Sequence, residues 1–324
     1  MYILAIESSC DEFSVAVLKN EKVLSNIISS QIEDHKEYGG VVPELASRLH
    51  VQNFNWVLEE AIKKSNVSIN ELDYVVYTAN PGLIGSLIIG KVVSQTLAQY
   101  LQIPLLPLNH LHGHVYSAFI DNKIEFPAIA LITSGGHTEI TLMKDHLEFE
   151  ILGSTQDDAI GECFDKVAIK MGLSYPGGPA IDALAKKTDE AKYEIPKPKD
   201  INKYDFSFSG IKTASINLLH KLKQADTKID LNSFAYSFQK TCVEYVIEKL
   251  EKAIKEYQPK FAILGGGVSA NSMLRTKFTK MASENKIESI IPKNEYCTDN
   301  AAMIGMLGFR TIIKEEHKNA IIRT

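Results

Sequence analysis

The sequence predicts a duplicated α/β fold, two lobes with a ligand cleft between them, and three observations predict it. One order of elements (three strands, a helix, a strand, a helix, then a strand and a helix) can be traced twice along the 324 residues. Turns rich in small and hydroxylated residues stand at equivalent points of the two halves. The composition, 45% hydrophobic and 23% charged, is that of a globular chain long enough to bury two cores without disulfide staples.

Taken in order, Tyr2–Ile6, Phe13–Leu18 and Lys22–Ser29 are rich in β-formers and separated by polar turns. Pro43–Lys64 has the apolar spacing of an amphipathic helix, through Leu45, Leu49, Trp56, Leu58 and Ile62. A strand at Tyr74–Thr78, a Pro-Gly turn, a helix at about Leu83–Leu101, a strand at Pro104–Leu108 and a helix from His110 complete the first half. The second half repeats this with strands at Ala128–Thr133, Thr138–Lys144 and Leu147–Leu152. Next come a helix at Asn232–Glu256, a strand at Lys260–Leu264, a helix from Ala270, a strand at Glu288–Ile291 and a helix from near Asp299. The lobes are expected at residues 1–107 and 108–324, with an insert at about 154–230. Within it Gln156–Met171 and Pro179–Lys187 look helical, and Thr188–Tyr204, polar and holding Pro196 and Pro198, reads as a surface connection.

Several classes are excluded. The net charge of −5 argues against a surface coated for nucleic-acid binding and leaves room only for a local basic face. Candidate cations for such a face are Lys166, Lys170, Lys212, Lys221 and Lys223. The four cysteines, Cys10, Cys163, Cys242 and Cys297, are far apart and form no CxxC motif, as expected of free thiols in a reducing cytoplasm. The apolar run Tyr2–Ile6 ends at Glu7, too early for a signal-peptide core. No apolar stretch approaches the ~18 residues of a membrane span.

Three turns can hold an anion. The first is Glu7-Ser8-Ser9-Cys10-Asp11-Glu12, and its counterpart is Thr133-Ser134-Gly135-Gly136-His137. Small residues let backbone N–H groups approach a phosphate closely. The third, Gly265-Gly266-Gly267, lies between a strand and a helix, where the helix N-terminus favours a phosphate or adenosine group. Three such turns at strand ends of a duplicated α/β fold match the arrangement of actin-like (ASKHA, ribonuclease H-like) nucleotide-binding proteins. No GxxxxGK[ST] P-loop is present.

His110 and His114 are four residues apart at the start of a helix, so both imidazoles project from one face. His112 points elsewhere. If the halves are related by a pseudo-twofold, Asp299 at the matching helix start of the second half faces the histidines across the cleft. Two imidazoles and one carboxylate suit Fe²⁺, Zn²⁺ or Mn²⁺ with positions left for substrate. The competing role for Asp299 is a helix N-cap. The HxxxH spacing resembles a zinc protease, but the general-base position after the first histidine is Leu111.

The segments Ile6–Glu12, Tyr38–Arg48, Asn80-Pro81-Gly82-Leu83, His110/His114, Ser134–Thr138, Phe164-Asp165-Lys166, Tyr175–Pro179, Gly265–Val268 and Thr298–Ala302 resemble the TsaD family, in its bacterial branch, over nearly the whole chain. These are tRNA N6-adenosine threonylcarbamoyltransferases. The resemblance implies transfer of a threonylcarbamoyl group from threonylcarbamoyl-AMP to N6 of adenosine 37, in tRNAs reading codons that begin with A, with release of AMP. It implies that His110, His114 and Asp299 hold one divalent metal, usually iron. It implies that Thr133, Ser134, Gly135, Gly136 and His137 line the adenylate and threonylcarbamoyl pocket, and that Asp165, Gly178, Asp182 and Asn271 bind substrate; by their own chemistry the backbone amides at Gly265 and Gly266 are expected beside the AMP. It implies as partners tRNA, a paralogous actin-like subunit (TsaB-like) and a small P-loop ATPase (TsaE-like), all cytoplasmic. Asp11 and Glu12, in the first turn, are the candidates for removing the amine proton, with a purely structural turn role as the alternative. An actin-like ATP-dependent phosphotransferase is the competing function. It shares the duplicated lobes but has no use for the histidine pair.

Overall fold

The computed structural model describes residues 1–198, 202–226 and 228–322. The first repeat runs β1 (Tyr2–Glu7), β2 (Glu12–Lys19), β3 (Lys22–Ser30), the short α1 (Ile32–His35), α2 (Pro43–Ser65), β4 (Tyr74–Asn80), α3 (Ile84–Leu101), β5 (Leu105–Asn109) and α4 (His110–Tyr116). The second opens with β6 (Ala128–Thr133), β7 (Thr138–Asp145) and β8 (Glu148–Ser154). The insert follows as α5 (Ile160–Met171), α6 (Gly177–Ala185) and α7 (Ser209–Gln224). Then come α8 (Leu231–Tyr257), β9 (Phe261–Gly265), α9 (Ser272–Glu284), β10 (Glu288–Ile290) and α10 (Ala301–Ile322). Residues 199–201 and 227 of the expected insert lie outside the described residues.

Each repeat forms one five-stranded sheet, and the orders, β3-β2-β1-β4-β5 and β8-β7-β6-β9-β10, are the same order in equivalent strands. In both, the first strand pairs antiparallel with the second and parallel with the fourth. The duplication inferred from element order is thus present strand for strand. The first strand of each repeat is central. It is apolar almost throughout, as a strand covered on both faces must be: every residue of Ala128–Thr133 is buried.

Packing divides the chain differently from the repeats. One compact unit comprises Met1–His35, Val41–Lys123 and the chain from Pro292 onward; the other comprises Lys36–Gly40 and Ile124–Ile291. The expected lobes, 1–107 and 108–324, divide the chain once along the sequence, cutting within β5, whereas the units follow contacts. Helix α10 belongs to the second repeat by order but packs on β1, β2, β3 and α4 in the first unit. There Gly305 and Gly308 let it approach Leu18 and Val76 closely. The first unit has a core built around Leu4, Ile6, Phe13, Val15, Val57 and Val75. The second has its own, around Ile129, Leu131, Phe164, Phe206, Phe208, Phe234, Phe238 and Phe278.

In the insert one expectation is corrected and one helix is new. Gln156–Ala159 is not helical; α5 starts at Ile160. Helix α7 carries no local start signal in its sequence, because its cap comes from Asp157. That carboxylate accepts from the N–H of Phe208 (2.7 Å) and Ser209 (3.2 Å) and from both neighbouring serine hydroxyls. Burial opposes the charge, but these four hydrogen bonds outweigh it and hold the carboxyl below its ordinary value. A carboxyl lowered by folding stabilises above its unfolded pKa and loses that stabilisation as pH falls through the folded value. Asp157→Asn is therefore expected to cost about 1 kcal/mol at neutral pH. In urea melts the gap from the unsubstituted protein should shrink below about pH 4; a gap independent of pH would assign the cost to packing instead.

Candidate metal centre and ligand loops

Strand β5 runs directly into α4, and Asn109 caps that helix by accepting from the His112 N–H at 3.1 Å. The turn this fixes puts His110 and His114 one above the other, ring centroids 4.6 Å apart and nearly perpendicular. At the equivalent junction, β10 leads to α10. Here the cap is Asn300, whose Oδ1 accepts from the Met303 N–H at 3.1 Å. Asp299 is thereby relieved of the capping role and turns to the histidines. Its Oδ1 lies 3.1 Å from His114 Nε2 and 3.5 Å from His110 Nε2. One ligand atom from each residue lies within 4.8 Å of the others. The three come together inside the first compact unit, because α10 packs there beside α4; the expectation that Asp299 belongs to the opposite lobe is corrected accordingly.

The donor set fits a divalent cation. His114 is fully buried, yet neither of its ring nitrogens has a hydrogen-bond partner, although Asp299 Oδ1 is 3.1 Å from Nε2. Buried polar atoms are otherwise satisfied as a rule, so convergence without hydrogen bonding is the pattern expected of ligand atoms. Two nitrogens and one oxygen suit Fe²⁺, Zn²⁺ and Mn²⁺ alike.

Around these ligands lies a further set of residues. Glu7, fully buried at the end of β1, places Oε2 3.1 Å from His110 Nδ1, and the Ser9 N–H donates to its Oε1 at 2.6 Å. Thr78, on the neighbouring parallel strand, donates its hydroxyl to Glu7 Oε2. Ser9 Oγ is 3.1 Å from His110 Nδ1 and 3.5 Å from Asp299 Oδ2. Burial opposes a charge on His110, but Glu7 and then Asp299 outweigh it and raise the imidazole to about 9. Burial likewise opposes the charge on Asp299, yet His110 and His114 hold its carboxyl far below the ordinary range. A bound cation would take over the positive charge that His110 carries in this balance.

Asp11 and Glu12 sit at the β1–β2 turn, close enough to Asp299 for its charge to act on Glu12. Burial, then Asp11 and Asp299, push the Glu12 carboxyl well above its ordinary value. Asp11 and Glu12 share a hydrogen bond.

The remaining predicted residues lie in the second compact unit and form two groups. In the first, the β6–β7 turn closes with Ser134 N–H donating to the His137 carbonyl at 2.8 Å and His137 N–H donating to Ser134 Oγ at 3.0 Å. Thr133 donates to the Gly265 carbonyl at 3.3 Å, and Gly266 lies against the Thr133 backbone. Gly135 and Gly136 are exposed, with open space where a Cβ would stand. The second group joins three helices. Asp182 on α6 accepts from Gln239 Nε2 (3.1 Å) and Ser272 Oγ (2.7 Å), and Gln239 Oε1 accepts from Asn271 Nδ2 (2.8 Å). Asn271 also caps α9 through the Leu274 N–H at 3.0 Å. Asp182 Oδ2 is held by Lys186, whose side chain is exposed. Asp165 accepts from the Gly177 N–H at 2.7 Å, which fixes the start of α6, where Gly178 stands clear of neighbours.

Sequence reasoning put Glu7 in an anion-holding turn and missed its place beside His110, and it singled out neither Thr78 nor Gln239. A parallel β1–β4 pairing sets Glu7 beside Thr78, but no local spacing marks it. Of the lysines offered as a basic face, Lys166 and Lys212 both pair with Asp158, at 3.0 and 2.5 Å.

A model of the TsaD family, tRNA N6-adenosine threonylcarbamoyltransferase, matches residues 22–306. The chain belongs to the TsaD family. It is 55% identical over 97% of its length to the tRNA N6-adenosine threonylcarbamoyltransferase of Mycoplasma capricolum, 98% of which is covered. It is 48% identical over 95% of its length to that of Staphylococcus saprophyticus, 90% of which is covered. As a TsaD-family chain it is a transferase. Its fold is also that of full-length HypF, at a TM-score of 0.63 and 16% identity, covering 96% of this chain and 55% of that one. It is likewise that of component A of Acidaminococcus fermentans (R)-2-hydroxyglutaryl-CoA dehydratase, at a TM-score of 0.55 and 11% identity, covering 96% and 98%. The duplicated fold is actin-like. Among the described residues no helix is long and apolar enough to cross a membrane.

Proposed function

We propose that this TsaD-family chain transfers a threonylcarbamoyl group from threonylcarbamoyl-AMP to N6 of adenosine 37, in tRNAs reading codons that begin with A. The observation that carries the proposal is the convergence of His110, His114 and Asp299 in a chain of this family. The N6 amine attacks the carbamoyl carbon, a C–N bond forms, the C–O bond to phosphate breaks, and AMP leaves with the electron pair. The donor is a mixed anhydride with a good leaving group, so catalysis consists mainly of holding carbon and amine at attack distance.

His110, His114 and Asp299 would hold one divalent ion, iron by family resemblance, with zinc or manganese suited to the same donors. When bound, that ion supplies Lewis-acid and templating chemistry toward donor oxygens. The N–H groups of the Thr133–His137 turn and of Gly265 and Gly266 would take the AMP phosphate. Asp165, Gly178, Asp182 and Asn271 would bind the rest of the donor; Asp182 Oδ2, paired with the exposed end of Lys186, suits a nucleoside hydroxyl.

Asp11 or Glu12 would accept the proton lost by the amine. Asp11→Ala or Glu12→Ala is expected to slow single-turnover transfer from bound donor about a hundredfold. Near-normal rates in both variants would reduce the pair to a turn.

We further propose tRNA, a TsaB-like actin-fold paralogue and a TsaE-like P-loop ATPase as partners, in the cytoplasm. Support comes from the family resemblance and from the net charge of −5, which leaves the chain short of phosphate-binding cations. The test is incubation of the chain and these partners with threonylcarbamoyl-AMP and unmodified tRNA, followed by nucleoside digestion. Threonylcarbamoyl-adenosine supports the reading; its absence, with a phosphorylated small molecule formed from ATP, would select the phosphotransferase instead.

A further inference from the structure

We propose that Glu7 is the positioning residue of the metal centre: it holds His110 through Nδ1 and so commits Nε2 to the ion. The inference rests on the reading that His110, His114 and Asp299 bind a divalent cation. Glu7 is fully buried, which an ionised carboxylate tolerates only when its oxygens are occupied. They are. Oε1 accepts from the Ser9 N–H at 2.6 Å, and Oε2 takes the Thr78 hydroxyl and faces His110 Nδ1 at 3.1 Å. Its place is set by the sheet. The β1–β4 register pairs Ile6 with Tyr77, which brings Glu7, at the end of β1, level with Thr78.

A neutral imidazole donates through one nitrogen and ligates through the other. With Nδ1–H donating to Glu7, the lone pair is left on Nε2, the nitrogen that shares Asp299 with His114. Such a carboxylate behind a ligating histidine fixes its tautomer and ring plane and raises its basicity.

Glutamine cannot replace this carboxylate, although its shape is the same. With its oxygen at the Oε2 position, its NH₂ group meets the Ser9 N–H, donor against donor. With the amide reversed, NH₂ faces His110 Nδ1, which must then accept, and the proton moves to Nε2 and blocks the ligand lone pair.

The test is Co²⁺ affinity of the full chain, by chelator competition, for the unsubstituted protein, Glu7→Gln, Thr78→Val and Glu7→Gln in a His110→Ala background. Glu7→Gln is expected to bind about 10- to 100-fold more weakly, and Thr78→Val, which removes one donor to Glu7, about 3- to 10-fold more weakly. In the His110→Ala background Glu7→Gln should change affinity by less than about twofold, because the histidine it orients is gone. A folded Glu7→Gln protein with undiminished affinity overturns the inference alone. So does an equal loss in the His110→Ala background, which would mark general disruption. If Glu7→Gln does not fold, Thr78→Val decides by the same criterion, unchanged affinity overturning the inference. Failure of the unsubstituted protein to bind Co²⁺ overturns the ion reading and this inference together.

Discussion

An Asp299→Ala variant is expected to lose stoichiometric divalent-ion binding and to slow threonylcarbamoyl transfer by about a hundredfold or more. The size follows from what remains. Two imidazoles four residues apart on one helix supply no charge to offset a divalent cation, and the third ligand atom, 3.1 Å from His114 Nε2, would be gone. Burial sharpens the loss, since His110 and His114 are both buried and water would replace the carboxylate only by entering a packed junction between α4 and α10. The control is Asn300→Ala. That residue caps α10 one position away, so its loss should cost about 1 kcal/mol of stability while ion content stays near one per chain. Metal content after gel filtration and single-turnover transfer read the two variants. Retention of one ion by folded Asp299→Ala protein would move the ion to other ligands.

The fold was legible in the sequence because its signal is order, not identity. Alternating and continuous apolar runs mark β1 to β3 and β6 to β8 within one or two residues of their observed bounds, and the same succession twice gives the same sheet order twice. Two features escaped for one reason, that long-range contacts decide them. Helix α7 is started by Asp157, some fifty residues away in sequence, so no local cap announces it. Helix α10 follows the second repeat in sequence, but its small-residue face packs on β1 and β2 of the first.

The candidate site divides along the same line. His110 and His114 were readable as a pair from helical spacing, and Asp299 from the equivalence of the β5–α4 and β10–α10 junctions. Which of Asp299 and Asn300 caps the helix could not be read from the letters, since both residue types cap well. The geometry assigns the cap to Asn300. Glu7 was invisible as a partner of His110, because the two meet only in the folded chain, across 103 positions and with no local spacing to link them.

Gly266→Ala is expected to be the most damaging single-methyl change in the second unit, at about 2–4 kcal/mol of stability. Gly266 has φ 85° and ψ 163°, a conformation open in practice to glycine alone. A Cβ there would stand 2.4 Å from the Thr133 carbonyl oxygen and 2.7 Å from its carbon, backbone atoms of a central strand that cannot rotate aside as a side chain would. Relief requires β6 and the Gly265–Asn271 segment to part, which pulls the Thr133–His137 turn away from Gly265 and breaks the hydrogen bond between them. With the donor held at this turn as proposed, urea melts and donor affinity should therefore fall together in this variant. Gly135→Ala separates the two effects. Nothing lies within 4 Å of its Cβ position, so stability should stay within about 0.5 kcal/mol, and any loss of threonylcarbamoyl-AMP affinity must come from crowding the ligand itself. Undiminished affinity in folded Gly135→Ala protein would take the donor away from this turn, whereas a Gly266→Ala protein of unaltered stability would contradict the packing described between Gly266 and Thr133.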